Sequence, residues 1–275
     1  MSGVEDSHIP AETVADDGDR RFDWQRLWPL ASLGTLLVVG GIWWLLTSGL
    51  SIVKPLYFPA PVEVINSLIR LGPSLLADGM ATLMRVVVSW MLGSALGVLA
   101  GLVMVRSRIA YFILTPIVEA LRPVPPVALI PFVILWFGIG DSGKIFLAAL
   151  GCFMVMAINT IVAADNVAPV YLRAARSLGA TQNQVYRTII LPAIGPQLVG
   201  GLRIGAALAF AIVVAAEFLG AKNGIGTLIM LASRTLNTPV VLLGTIVIGL
   251  EAFFLERVIR WFSLRLTSWA ERSTD

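Results

Sequence analysis

The strongest constraint on this chain is a series of apolar runs about 20 residues long, the length of helix that crosses a hydrocarbon core of about 30 Å. They read as spans at 28–50, 81–105, a proline-interrupted stretch from Ile109 onward, 144–164, 196–219 and 239–255. In lipid a backbone has to satisfy its own hydrogen bonds, so runs of this kind fold as helices. The expected fold is all-α and polytopic, with six transmembrane helices. Composition agrees: 57% of the 275 residues are hydrophobic and 13% are charged, against about 25% charged in an ordinary soluble domain.

Several chemistries are excluded at once. The one cysteine, Cys152, lies in an apolar run and leaves no intramolecular disulfide and no Cys-rich metal site. His8 is the only histidine and sits in a polar segment, so a His-based metal centre or a Ser-His-Asp triad has no material. No Gly-Lys-Ser/Thr phosphate loop occurs, so any ATP work belongs to another chain. The reading is a non-catalytic membrane subunit with no metal, no cofactor of its own and no nucleic-acid partner.

Residues 1–27 form an acidic segment, with Glu5, Asp6, Glu12, Asp16, Asp17, Asp19 and Asp23, too polar to bury a core and expected to be a disordered tail. The first span, 28–50, carries Trp28 at one end and Trp43 and Trp44 toward the other as interfacial anchors. Residues 51–80 read as an external segment in which Val62, Val64, Ile65, Leu68 and Leu71 form a short helix on the bilayer surface. The main domain is 81–264, and a basic tail, 265–275, follows. Gly93, Gly97 and Gly101 share one face of the second span, a spacing that lets helix backbones approach closely. The stretch 221–237 reads as external, and Glu256 with Arg260 as an i, i+4 ion pair.

The basic residues orient the chain. With both termini in the cytoplasm, that side holds Arg20, Arg21, Arg26, Arg106, Arg108, Arg173, Arg176, Arg187 and the C-terminal arginines. The outside keeps Lys54, Arg70, Lys144, Lys222 and Arg234, the asymmetry expected of positive-inside topology.

Between the fourth and fifth spans lies a polar, Arg-bearing loop, 166–195, with a helical pattern of its own. Leu172, Ala175 and Leu178 make one apolar stripe, and Val185, Tyr186, Ile189 and Ile190 make another. Gly179 joins the two halves, where a glycine takes the left-handed conformation that ends a helix. Pro192 ends the second short helix or opens the next one.

The elements Ala174-Ala175, Gly179-Ala180 and Ile189-x-Leu191-Pro192, at this spacing between two spans, resemble the cytoplasmic loop of the permease subunits of bacterial ABC importers. The resemblance implies that Leu172, Arg173, Ala174, Ala175, Leu178, Gly179 and Ala180, with Val185, Tyr186, Ile189, Leu191 and Pro192, couple the chain to an ATPase. Arg173 departs from the family pattern, which has Glu there, so a carboxylate contact is not carried over. The resemblance further implies two ATP-binding subunits that hold ATP and Mg, a second permease copy (a homodimer in the simpler assembly), a solute-binding protein outside, and residence in the bacterial inner membrane.

The third span is the anomalous one. Pro116, Glu119, Arg122, Pro123, Pro125, Pro126 and Pro131 all precede Trp136. Lipid does not tolerate so many freed backbone groups, so this segment is packed in the bundle or lines a wet cavity. Arg122 comes fourteen positions after Arg108, up to ~20 Å deep at the helical rise, and an ionisable side chain at that depth marks a site or a structural pair with Glu119. The stretch LRPVPPVALIPFVILWFGIGDSGKIFL resembles the sulfonate, taurine and nitrate importers of the same family. A translocation path at Glu119, Arg122, Pro123, Pro125 and Pro126 for a small anion is expected, a sulfonate such as taurine first and nitrate next. The rival reading is an ion-coupled carrier using Glu119, Arg122 and Glu217.

Overall fold

A computed structural model describes residues 34–35, 37–50 and 54–266. The expected acidic segment 1–27, the start of the first span with Trp28, and nearly all of the C-terminal tail lie outside those residues. Among the described residues every regular element is helical. In chain order they are α1 (Leu37–Gly49), then α2 (Pro61–Leu71), α3 (Pro73–Arg106), α4 (Arg108–Leu121), α5 (Ile130–Phe137) and α6 (Asp141–Asp165). These are followed by α7 (Pro169–Ser177), α8 (Gln182–Val185), α9 (Leu191–Leu219), α10 (Ile225–Arg234) and α11 (Thr238–Leu266). Four helical stretches, in α3, α6, α8–α9 and α11, are long and apolar enough to cross a membrane, and α4 with α5 makes a fifth if counted as one bent span.

The core is where α3, α6 and α9 meet, built on Val86, Leu147, Ala148, Cys152, Ala209 and Val213. The glycine face of the second span explains how tightly two of them pack. A Cβ at Gly93 would stand 2.2 Å from the Ala149 carbonyl oxygen, and one at Gly97 would stand 2.5 Å from that of Phe153. Backbone meets backbone there, the route to helix association when lipid supplies no hydrophobic drive.

Four departures from the sequence reading have physical causes. The fifth span does not begin at residue 196: α8 runs into α9 through a π turn, Tyr186–Ile190, as one helix from Gln182 to Leu219. Pro192 removes an amide hydrogen, and the chain adjusts by closing a wider ring in which Leu191 N–H donates to Tyr186 O, so the helix bulges instead of ending. The stretch 221–237, read as external with no element assigned, contains α10, which folds back onto α9 and α11 and buries Ile225 and Ala232. Glu256 pairs with Arg203 of α9 and not with Arg260. The third span is broken, α4 and the helical segment after it diverging by 82°.

A short helix forms at Pro61–Leu71, with Glu63 accepting from its N-cap amide, Ala60 N–H. Val64 packs on Leu75, Ile225 and Leu243, whereas Val62, Ile65 and Leu68 stay exposed. Trp43 of α1 donates to the Pro59 carbonyl at 3.0 Å and ties the two elements together.

Candidate functional site

Three polar regions stand out along the bundle. At the loop end α7 finishes at Leu178, and Gly179 takes φ +79°, the left-handed turn expected of it. Its N–H donates to Arg176 O at 3.0 Å and that of Ala180 to Ala175 O at 3.0 Å, so the last carbonyls of α7 are satisfied. Thr181 then caps α8: Gln184 N–H donates to its hydroxyl, and Thr181 N–H donates to the Gln184 side chain at 2.8 Å.

The loop residues divide into two sets. Leu172, Ile189 and Leu191 pack on Ala163, Val167 and Ile194, which belong to the bundle. Val185 is buried, and Tyr186 donates from its hydroxyl to the Leu102 carbonyl of α3 at 3.1 Å. Arg173, Ala174, Leu178, Gly179 and Pro192 are exposed, Leu178 by 89%, while Ala175 and Ala180 are half-buried. One apolar stripe thus anchors the loop, and the other side presents a small knob to whatever lies beyond. Arg106 adds an exposed hydrogen bond to Asn183.

The second region lies beside α4, which ends at the break. Tyr111, Thr115, Glu119 and Arg122 share a cavity of about 170 Å³ with Met104 of α3 and Ile158, Ile161 and Val162 of α6. Glu119 and Arg122 are both exposed, and among the described residues no ion pair joins them, against the structural pairing the sequence allowed. Pro123 and Pro125 are exposed and Pro126 is half-buried at the turn. These prolines define the break, since none of them has an N–H to continue the ladder of α4.

At the far end is a cluster that the sequence reading did not single out. Arg85 of α3, 3% exposed, donates through Nε to Asp141 Oδ1 at 2.8 Å and through Nη1 to Glu217 Oε1 at 2.5 Å. It also reaches the Asn223 carbonyl at 3.0 Å. Glu217, 1% exposed, accepts further from the Thr82 hydroxyl and from Gly226 N–H at 2.9 Å. Lys144 lies 3.7 Å from Asp141. Two cations thus meet two carboxylates where α3, α6, α9 and the turn into α10 converge, so each buried charge has a counter-charge, with the Asp141 side chain itself 60% exposed. Arg85 was legible: a lone arginine inside the apolar run 81–105 is the same signal that Arg122 gave.

Glu217 is therefore held in the far-end cluster and does not line the cavity of Glu119 and Arg122. Of the three groups an ion-coupled carrier would use, Glu217 is thus engaged apart from Glu119 and Arg122.

A bundle of long apolar helices with a broken span and a fixed polar loop between two others defines the chain as a polytopic helical membrane protein. The family model of the binding-protein-dependent transport system inner membrane component matches residues 93–268, and the chain belongs to that family. It is 37% identical over 262 residues, 91% of this chain and 94% of the other, to the taurine transport system permease protein TauC of Escherichia coli (strain K12). It is 30% identical to the putative aliphatic sulfonates transport permease protein SsuC of Bacillus subtilis (strain 168), over 92% of this chain and 90% of that one. Among solved structures, an inward-facing MetNI methionine ABC transporter matches with a TM-score of 0.55 at 26% identity, over 68% of this chain and 95% of that one. An amino acid ABC transporter matches with a TM-score of 0.61 at 17% identity, over 72% and 97%. The chain is a multi-pass inner-membrane ABC permease and not an enzyme, and its membership implies an ATPase partner.

Proposed function

We propose that this chain forms the membrane path of an ATP-driven importer for a small organic sulfonate, with taurine favoured and nitrate or a related oxyanion next. The observation that carries the coupling half is the loop: Leu172, Val185, Tyr186, Ile189 and Leu191 fasten it to the bundle while Ala174, Leu178 and Gly179 stand clear. A knob held rigidly and left uncovered is what a docking ATPase requires. In this reading two copies of the chain face each other across the path, two ATPase subunits that bind ATP and Mg dock on the two loops, and a solute-binding protein delivers cargo from outside. With six spans, the positive-inside asymmetry of the basic residues would put both termini and the loop in the cytoplasm. ATP-driven closure of the ATPases then switches the bundle between outward and inward openings, two packings biased from a distance. The sulfonate assignment rests on the relatives named for taurine and aliphatic sulfonates and on Arg122, whose planar fork matches two oxygens of an oxyanion.

The test is co-purification of the tagged chain with the ATPase encoded beside it, together with uptake of labelled taurine and nitrate by cells carrying the complete system. ATP-dependent taurine uptake that needs this chain is the expected result. A chain that supports uptake without any ATPase, or that transports neither solute, overturns the reading.

A further inference from the structure

The geometry points to Glu119 and Arg122 as a specificity-determining pair for a solute that carries both charges, a small zwitterion, and not for a simple anion; this rests on the importer reading above. Three observations converge on it. The first is the pair itself: a carboxylate and a guanidinium one helical turn apart line one cavity and make no ion pair with each other. Ionisable groups inside a membrane normally pair, so two that stand apart present both signs to whatever enters between them. For a lone anion the attraction of Arg122 is opposed by the repulsion of Glu119. A solute with an anionic and a cationic end, two carbons apart, gains from both.

The second observation is the backbone at the break. The carbonyl of Glu119 would accept from residue 123 and that of Arg122 from residue 126, and both are prolines without an N–H. Arg122 N–H is already given to Val118 O at 2.9 Å and Val124 N–H to Leu121 O at 3.0 Å, so the Glu119 and Arg122 carbonyls keep no helical donor. The C-terminal end of α4 therefore carries bare carbonyl oxygens and the negative end of its dipole. That end favours an ammonium group, and the Glu119 carboxylate lies beside it.

The third is the room available beside the pair. The cavity, about 170 Å³, equals the liquid volume of about five to six waters, a fit for a small organic ion. An ammonium at Glu119 and the α4 carbonyls, with a sulfonate at Arg122, uses both charges the cavity offers.

The experiment uses the full chain with its ATPase in nanodiscs. Association of the two chains reports on the importer reading alone. Equilibrium binding of labelled taurine, competed by 2-hydroxyethanesulfonate, in which a hydroxyl replaces the ammonium, reports on the pair. Wild type is expected to prefer taurine at least tenfold. Glu119→Gln should abolish that preference by weakening taurine only, Glu119→Asp should keep it, and Arg122→Gln should weaken both sulfonates at least tenfold. The proposal is overturned if wild type binds the two sulfonates equally or not at all, or if Glu119→Gln retains the preference. It is equally overturned if the double variant recovers the taurine binding that each single change has lost, since the residues would then serve each other.

Discussion

Arg85 and Glu217 meet at 2.5 Å between α3 and α9, with side chains only 4% and 0% exposed. Removing one partner of such a pair leaves a buried charge uncompensated, a loss of about 3–5 kcal/mol. Arg85→Met is therefore expected to lower the unfolding temperature of the detergent-solubilised chain sharply. Combining it with Glu217→Gln should recover much of that loss. Equal destabilisation by the single and the double change would mean that the pair contributes through packing alone.

The close approach of α3 and α6 predicts a contrast between two glycines. Gly97→Leu drives a side chain into the Phe153 carbonyl and Met156, so the helices must part, at a cost of roughly 1–3 kcal/mol or more. Gly200 has nothing within 4 Å of its Cβ position, and Gly200→Ala is expected to leave thermal stability unchanged or slightly raised. Thermal unfolding of the two variants in one detergent distinguishes them.

At the loop, Gly179 sits at φ +79° in open space, so a side chain there is refused by its backbone angle and not by any neighbour. Gly179→Val forces a β-branched residue into the left-handed region at about 1–3 kcal/mol of local strain. It is expected to cut uptake more than tenfold with membrane levels unchanged. Ala175→Glu should do the same by placing charge on the face offered to the ATPase. Arg173→Ala should weaken ATPase co-purification less than Ala175→Glu does.

Topology is tested by single cysteines in a Cys152→Ser background, where the buried thiol that donates to Gly205 O is replaced by a smaller hydroxyl. Gln182→Cys is expected to resist an impermeant thiol reagent on intact cells, and exposed Lys222→Cys to react. Asn223 is a poor probe, because its side-chain and backbone oxygens hold Arg85. Labelling of Gln182→Cys from outside would reverse the orientation.

How far the fold and site were legible depended on what kind of signal each residue carried. Gly93 and Gly97 announced close packing through spacing alone, and Gly179 announced a helix end through its own chemistry. The cavity residues were visible because two charges and five prolines in an apolar run conflict with lipid. Arg85 carried the same conflict, but its four partners, Asp141, Glu217, Asn223 and, through Glu217, Thr82, are scattered over 142 residues, and no local pattern assembles them. Helix α10 was invisible for another reason. Its ten residues are too short for a span, and only contact with α9 and α11 makes a helix of them. The continuity of α8 into α9 was hidden by Pro192, a residue that usually stops helices and here is absorbed by one wide turn.

That continuity has a mechanical consequence. From Gln182 to Leu219 the backbone is one helix of 38 residues, about 57 Å long at 1.5 Å per residue. One end is fastened to α3 through Tyr186, and the other carries Glu217 into the Arg85 cluster. No joint lies between them, and the wide turn at Tyr186–Ile190 together with Pro196 is where the shaft has the least stiffness. Pivoted at its loop end, a tilt of about 5° carries the far end through roughly 5 Å, more than the length of any hydrogen bond that holds Arg85. The stiffness of this single shaft thus sets how faithfully any tilt at the loop end would be carried to the Arg85 cluster at the other.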